Sequence, residues 1–275
     1  WDYDDDTMVY GTISEGYRRG GTNAGPVRPD VNYPNDPEWS SFSSDTVLNY
    51  EVGIKGQLDN INYTIAAFYV DWSDPQVNVA TPSGAYYAVA NGNSAASKGL
   101  ETEFNWAVSN SVTVFGGYTY VDASLTNDLY LHDASDLTTG KSELRATDGA
   151  QLPGTAENTI NIGAKHETVL DNGLLLVSRI DGYYQSEVEN SILNIDPDWA
   201  ATLGGFHLWF MSTTLVGDHW TASLVAKNLF NERGTVATYK EEYRTSDVAN
   251  GFYGTGQKDF ITAPRTITLK TSYRF

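Results

Sequence analysis

The chain has 275 residues, with 35 Asp plus Glu against 17 Lys plus Arg for a formal charge of −18, and it has no cysteine. A chain this acidic, whose longest basic stretch is Arg18-Arg19, lacks the counterion-releasing surface of a nucleic-acid binder, and the missing cysteines exclude disulfides, thiolate metal sites and cysteine nucleophiles. No apolar run approaches the roughly 18 residues of a membrane-crossing helix, yet a mean hydropathy of −0.37 is shared by soluble proteins and by membrane β-barrels whose two faces alternate.

The chain opens at Trp1 with neither an initiator Met nor a signal segment and reads as a piece of a longer precursor. Asp2, Asp4, Asp5 and Asp6 lack the twelve-residue Ca²⁺ loop with its central Gly and read as solvated turn residues. From there the chain alternates with period two. Tyr50, Val52 and Ile54 oppose Asn49, Glu51 and Lys55; Leu100, Phe104 and Trp106 oppose Glu101, Glu103 and Asn105; Ile160 and Ile162 oppose Asn161; Ile267, Leu269 and Tyr273 oppose Lys270, Ser272 and Arg274. Ten strands are predicted, near 7–18, 46–58, 61–73, 97–108, 111–126, 157–170, 173–186, 205–216, 219–231 and 263–275.

The connections come in two alternating sizes. Leu58-Asp59-Asn60, Ser109-Asn110-Ser111, Asp171-Asn172-Gly173 and Gly217-Asp218-His219 read as tight hairpins. Between them lie long polar stretches at 19–44, 74–96, 127–155, 187–203 and 232–262. Short turns on one rim and long loops on the other, joined by strands of about ten residues, predict an all-β, antiparallel transmembrane β-barrel with short periplasmic turns and long extracellular loops. A secreted β-sandwich also alternates, but its strands are usually about five or six residues long and its loops are not sorted by length. Tyr10, Tyr17, Tyr50, Tyr63, Tyr69, Trp72, Trp106, Tyr118, Tyr120, Tyr184, Trp209, Trp220 and Tyr273 all fall in predicted strands, several near their ends, as interfacial girdles require. Glu51, Lys55, Glu101, Glu103, Lys165, Arg179, Asp181, Lys227, Lys270 and Arg274 fall on the polar phase and should face a lumen, because a Lys or Arg at the bilayer midplane costs about 2–4 kcal/mol.

Several separated segments resemble, in order, the C-terminal barrel portion of TonB-dependent outer-membrane receptors. Ser14-Glu15-Gly16-Tyr17-Arg18-Arg19-Gly20-Gly21-Thr22-Asn23 is similar to a strand end and loop start of that family, Asn49-Tyr50-Glu51-Val52-Gly53-Ile54-Lys55 to one of its strands, and Gly99-Leu100-Glu101-Thr102-Glu103 to a strand start. Leu152-Pro153-Gly154-Thr155, Asn228-Leu229-Phe230-Asn231, Pro264-Arg265-Thr266-Ile267 and the terminal Tyr273-Arg274-Phe275 complete the series. The resemblance implies that residues 1–275 are about the last ten strands of a 22-stranded barrel, with the plug domain outside this sequence. It also implies residence in the bacterial outer membrane and contact with its lipid, and a Phe275 signal read by the barrel-assembly machinery. The function it implies is TonB-energised import, through the plug, of a scarce substrate such as a ferric siderophore, with no catalysis and no resident cofactor. Cobalamin, heme or an oligosaccharide are the alternative cargoes, and a passive porin the alternative class.

Enzymatic readings find little support. His132, His166, His207 and His219 share no metal-site spacing, no Gly-x-Ser-x-Gly occurs, and neither Gly16–Gly21 nor Gly251–Gly256 opens a helix in a βαβ unit. His132-Asp133 in a long loop would suit a ten-stranded outer-membrane protease, and that reading requires the ten strands to close on themselves. The candidate site is instead the loop surface. Tyr33, Trp39, Tyr86, Tyr87, Tyr130, Tyr239, Tyr243, Phe252 and Tyr253, interleaved with Asn91, Asn93, Arg244 and Lys258, would make a polar-aromatic vestibule, with Arg18 and Arg19 at its mouth for an anionic chelate.

Overall fold

A computed structural model describes residues 1–23, 41–80, 87–132, 142–192, 200–240 and 257–275. Strand β1 (Thr7–Arg18) leads to the short pair β2 (Gly21–Thr22) and β3 (Ser41–Phe42), and β4 (Asp45–Leu58) with β5 (Ile61–Ser73) leads to β6 (Gln76–Ala80) and β7 (Tyr87–Asn91). Next come β8 (Ser94–Ala107), β9 (Val112–Leu125), β10 (Leu129–His132), β11 (Ser142–Ala146), β12 (Asn158–Val169) and β13 (Leu175–Gln185). The chain finishes with β14 (Val188–Glu189), β15 (Thr202–Leu203), β16 (Phe206–Val216), β17 (Trp220–Lys227), β18 (Thr235–Lys240), β19 (Gln257–Ile261) and β20 (Thr266–Tyr273). Among the described residues no helix is long and apolar enough to cross a membrane.

The long strands form one antiparallel sheet of ten, in the order β1-β4-β5-β8-β9-β12-β13-β16-β17-β20. Each long connection carries a two-stranded hairpin of its own: β2–β3, β6–β7, β10–β11, β14–β15 and β18–β19. The alternation does not reveal these hairpins, since two to six residues hold too few repeats. The tight connections fall where the turn residues predict them, with Asp59 at φ 51° and Gly173 at φ 82°. Strands β1 and β20 are the two edges of the sheet and do not pair with each other. The ten strands therefore do not close as a barrel by themselves, which removes the structural premise of the ten-stranded protease.

The register staggers steadily. A single row of directly opposed residues runs Leu58, Ile61, Trp106, Val114, Ala164, Ile180, Met211, Ala226, Ile267. It begins at the tight-turn end of β4 and finishes one residue inside the long-loop end of β20. Strands must therefore lie oblique to both rims, the shear that accompanies barrel curvature. At about 3.3 Å per residue and a tilt near 45°, strands of 12 to 14 residues such as β1 and β4 rise roughly 30 Å, enough to cross an apolar band about 25 Å tall.

Alternation then sorts the faces. Every member of that row is apolar, and the same face carries Tyr50, Val52, Ile65, Leu100, Ile160, Leu224 and Leu269, all exposed in this chain. Tyr63, Trp106, Trp220 and Tyr273 line this apolar face near the tight-turn rim, while Tyr17, Tyr69, Tyr184 and Trp209 line it near the long-loop rim. Tyr10 and Trp72, grouped with the girdle residues on sequence, stand on the opposite, polar face, where each has a carboxylate partner. The ten charges assigned to the polar phase do share one face. Lys165 pairs with Glu167 at 2.8 Å and Arg179 with Asp181 at 2.6 Å, and the Arg179 guanidinium lies 4.6 Å from the Phe115 ring centre. Charges on the apolar face gather close to its long-loop rim: Lys98 and Asp122, paired at 3.0 Å, and Glu15 and Asp71, both opposite Leu48.

Glycines within strands have a packing reason that the sequence conceals. Gly53, Gly163 and Gly182 are each covered by the aromatic ring directly opposite, Tyr10, Phe115 and Trp209, so that an added Cβ would fall 2.5 to 2.8 Å from the ring. The ring takes the place of the missing side chain and seals the backbone. Among the described residues a conventional core appears where loops fold over the long-loop rim. There Ala90, Ala95, Leu125, Leu129, Ala146, Ala150 and Ile192 cluster, with Trp72, Val77 and Leu152 against them.

Candidate functional site at the long-loop rim

Arg18 ends β1 and Asp45 begins β4, directly opposite it. Asp45 has 1% of its side chain exposed, against 52% for Arg18. A buried carboxylate needs donors to replace water, and Asp45 collects them from separate parts of the chain. The Arg18 main-chain N–H donates at 3.2 Å and its Nε at 2.9 and 3.1 Å, with Nη2 closing the fork. Trp72 Nε1 donates at 2.9 Å and the Gln76 backbone N–H at 3.2 Å. The guanidinium carbon lies 5.2 Å from the centre of the Trp72 ring. On β4 the outward apolar residues begin at Leu48, so Asp45 lies above the band that would meet hydrocarbon. Burial by itself would raise its carboxyl, but the donors from Arg18, Trp72 and Gln76 outweigh that and hold it at about 2.

The network extends into two hairpins. Gln76 Nε2 donates to the carbonyls of Arg19 at 3.0 Å and Ser43 at 2.9 Å. Asn91 accepts from the Ser43 N–H at 2.7 Å and donates to the Asp74 carbonyl at 2.8 Å. Asn23 exchanges two bonds with the Val89 backbone, both 2.8 Å. Each amide satisfies backbone groups on a neighbouring loop, so β2–β3 and β6–β7 are joined side to side.

Of the residues expected at the vestibule, Arg18 and Asn91 meet in this network, and Arg19 contributes its carbonyl while its side chain is exposed. Asn93 donates to the Asp128 carbonyl at 2.9 Å. Tyr130 is half exposed on β10, Lys258 is exposed on β19, and Tyr87 and Tyr239 fall in β7 and β18. Tyr33, Trp39, Tyr86, Tyr243, Arg244, Phe252 and Tyr253 lie outside the described residues. The sequence reading missed Asp45, Trp72, Gln76 and Asn23. Asp45 shares the parity of Asn49 and Glu51, a signal of the polar face, but its burial depends on loops that fold over it. Among the described residues no group of three His, Asp or Glu side chains could hold a metal ion.

A second polar node explains two sequence motifs at once. Asn228, 4% exposed and at φ 49°, donates through Nδ2 to the carbonyls of Glu232 (2.9 Å) and Ala263 (2.8 Å) and accepts from the Glu232 N–H at 2.8 Å. Asn231 accepts from the Arg265 N–H at 3.0 Å. The turn after β17 is thereby tied to the residues that lead into β20. It also shortens both strands relative to the periodicity: β17 stops at Lys227 where the backbone turns left-handed, and β20 starts at Thr266, after Pro264 and an Arg265 N–H already engaged.

Long sheared strands, an apolar face between two aromatic girdles, a charged opposite face and loops gathered on one rim define an outer-membrane β-barrel wall. The family model for the TonB dependent receptor-like β-barrel matches residues 1–229, and the chain belongs to that family. TonB-dependent receptors are transporters of the bacterial outer membrane, not enzymes. Among solved structures, the chain is similar to the ferric yersiniabactin uptake receptor FyuA from Yersinia pestis, at 18% identity and TM-score 0.73, over 99% of this chain and 36% of that one. It is similar to the siderophore receptor PiuA from Acinetobacter baumannii at 18% identity and TM-score 0.70, over 99% and 34%. It also resembles the copper transporter OprC at 12% identity and TM-score 0.64, over 100% and 38%. The chain thus spans about a third of the length of the receptors it matches. A search of curated proteins finds no match.

Proposed function

We propose that this chain is barrel wall from the C-terminal part of a receptor that captures a scarce anionic iron chelate, a ferric siderophore, and imports it with energy relayed by TonB. The observation that carries the reading is Arg18, half exposed and held at the mouth of the polar face between two joined hairpins. Family membership supports the transport class, and the names of FyuA and PiuA, siderophore receptors themselves, support the cargo. In this reading outer-membrane lipid covers the apolar face. A plug domain seats against the polar face, where Glu51, Lys55, Glu101 and Glu103 present charge, and takes the pull of the TonB complex. Phe275, fully exposed in phase with the apolar residues of β20, is the group read by the barrel-assembly machinery.

Growth under iron limitation tests the cargo. A strain lacking the gene should lose growth on one or more ferric siderophores and regain it on complementation. Unchanged growth across the panel would remove the siderophore assignment. A second reading is favoured by OprC, whose name assigns the same fold to copper: a different scarce cargo, with cobalamin, heme and oligosaccharide as further candidates. Growth limited by copper, or by one of those compounds, distinguishes them.

A further inference from the structure

We propose that Asp45 is a positioning residue for anion recognition: it holds the Arg18 guanidinium over Trp72 at the mouth of the polar face and seats the β2–β3 and β6–β7 hairpins as two walls of that mouth. The proposal rests on the reading above, that the cargo is an anionic chelate. Its basis is the asymmetry of the pair. The acid is buried and the base is half exposed, so the carboxylate faces the protein while part of the guanidinium faces the vestibule. One carboxylate accepts from residues 18, 72 and 76, which lie on three different strands. Gln76, placed by that carboxylate through its N–H, spends its side chain on the Arg19 and Ser43 carbonyls of the neighbouring loop.

Two effects of Asp45 on an incoming anion oppose each other. Its charge neutralises that of Arg18 and weakens attraction at a distance. Its hydrogen bonds freeze a side chain that would otherwise sample many rotamers, so the anion does not bear that ordering cost. At physiological salt the first effect is damped beyond about 8 Å. At contact the carboxylate lies on the protein side of the guanidinium, with its charge shared among the Arg18, Trp72 and Gln76 donors, while the ordering of Arg18 acts in full. Positioning should therefore win, and this fixes the sign of the test.

Outer-membrane vesicles from cells expressing the gene are titrated with ferric citrate and a ferric tris-catecholate as anionic probes and with a neutral ferric trihydroxamate as control. Asp45→Asn should weaken the anionic chelate that wild type binds by about tenfold or more and leave the neutral one within about twofold, with Asp45→Glu recovering part of the loss. Arg18→Lys, which keeps the charge but loses the fork, should also weaken anion binding. Anion binding by D45N that is unchanged or tighter, or by R18K that equals wild type, overturns the proposal. If wild type binds none of the probes, the chelate reading fails, and amide hydrogen exchange decides the positioning role by itself. Faster exchange in D45N at Gln76, whose N–H donates to Asp45, and at Val89, bonded to Asn23, upholds it; unchanged exchange at both overturns it.

Discussion

Asn228 donates its side-chain amide to the carbonyl of Ala263 at 2.8 Å, across 35 residues of chain. That bond, with the Asn231 acceptor for the Arg265 N–H, locks the last long connection at its two feet and leaves the β18–β19 hairpin to rise between them. Two motifs that look independent along the chain are halves of one structure. Its strength can be measured directly.

Replacing Asn228 by Ala takes the partner from the part-buried Glu232 N–H and from the Ala263 carbonyl, while the Glu232 carbonyl keeps Thr262 Oγ1, and it puts a Cβ-bearing non-Asn residue at a positive φ. At about 0.5–1.5 kcal/mol for each part-buried hydrogen bond lost, and about 1 kcal/mol or more for the left-handed backbone, N228A should lose about 1–3 kcal/mol. Urea titration of the chain folded into lipid vesicles would read this as a lower midpoint. N228G, which keeps the conformational freedom but not the bonds, should recover only part of it.

Ile162 and Asn161 are neighbours on β12 that face opposite sides. Ile162→Arg would place a cation on the apolar face and should destabilise by about 2–4 kcal/mol near the bilayer midplane. Asn161→Arg, on the polar face, should cost far less. Equal losses for the two would contradict the assignment of faces.

Strand glycines should divide by what lies above them. A Cβ on Gly99 would fall on the Tyr120 carbonyl and the Phe68 ring, whereas one on Gly16 meets nothing within 4 Å. Gly99→Ala should therefore destabilise by about 1–3 kcal/mol through overpacking. Gly16→Ala should be neutral or stabilising by a few tenths to about 1 kcal/mol, because it narrows the unfolded ensemble. The comparison of the two midpoints separates local crowding from a general intolerance of Cβ in these strands.

The Asp45 carboxyl, held at about 2 against an ordinary 3.8, stabilises the rim when ionised. A depressed value means that this stabilisation is complete above about 4 and fades as pH falls through about 2. Protection of the Gln76 and Val89 amides should thus be the same at pH 4.5 as at pH 7, and D45N should lack it at both. A loss of protection already near pH 5 would place the control in another group.

Phe275 has the parity of Ile267, Leu269 and Tyr273 and is fully exposed. If it is the assembly signal, Phe275→Ala should lower the amount of folded receptor in the outer membrane several-fold while molecules that do assemble keep wild-type thermal stability. Immunoblotting of membrane fractions, with and without heating, gives both quantities.

Local chemistry along the chain was enough for the ten long strands, their phase and the tight turns between them. A side chain's face depends only on its parity, as with Glu51 and Val52, and a tight turn depends on two or three residues such as Asp59-Asn60 or Asp171-Asn172-Gly173. The family was legible for a related reason, since Asn49–Lys55 and Asn228–Asn231 are short runs whose residues meet demands of backbone and phase. Tertiary structure decided what parity cannot carry. The stagger that takes Leu58 to the row of Ile267, the rings laid over Gly53 and Gly182, and the open edges at β1 and β20 all follow from how strands align, which no single strand encodes. Asp45 shows the limit most clearly: its sequence marks it as one more acid among 35 Asp and Glu, and only the convergence of Arg18, Trp72 and Gln76 makes it the buried centre of the rim.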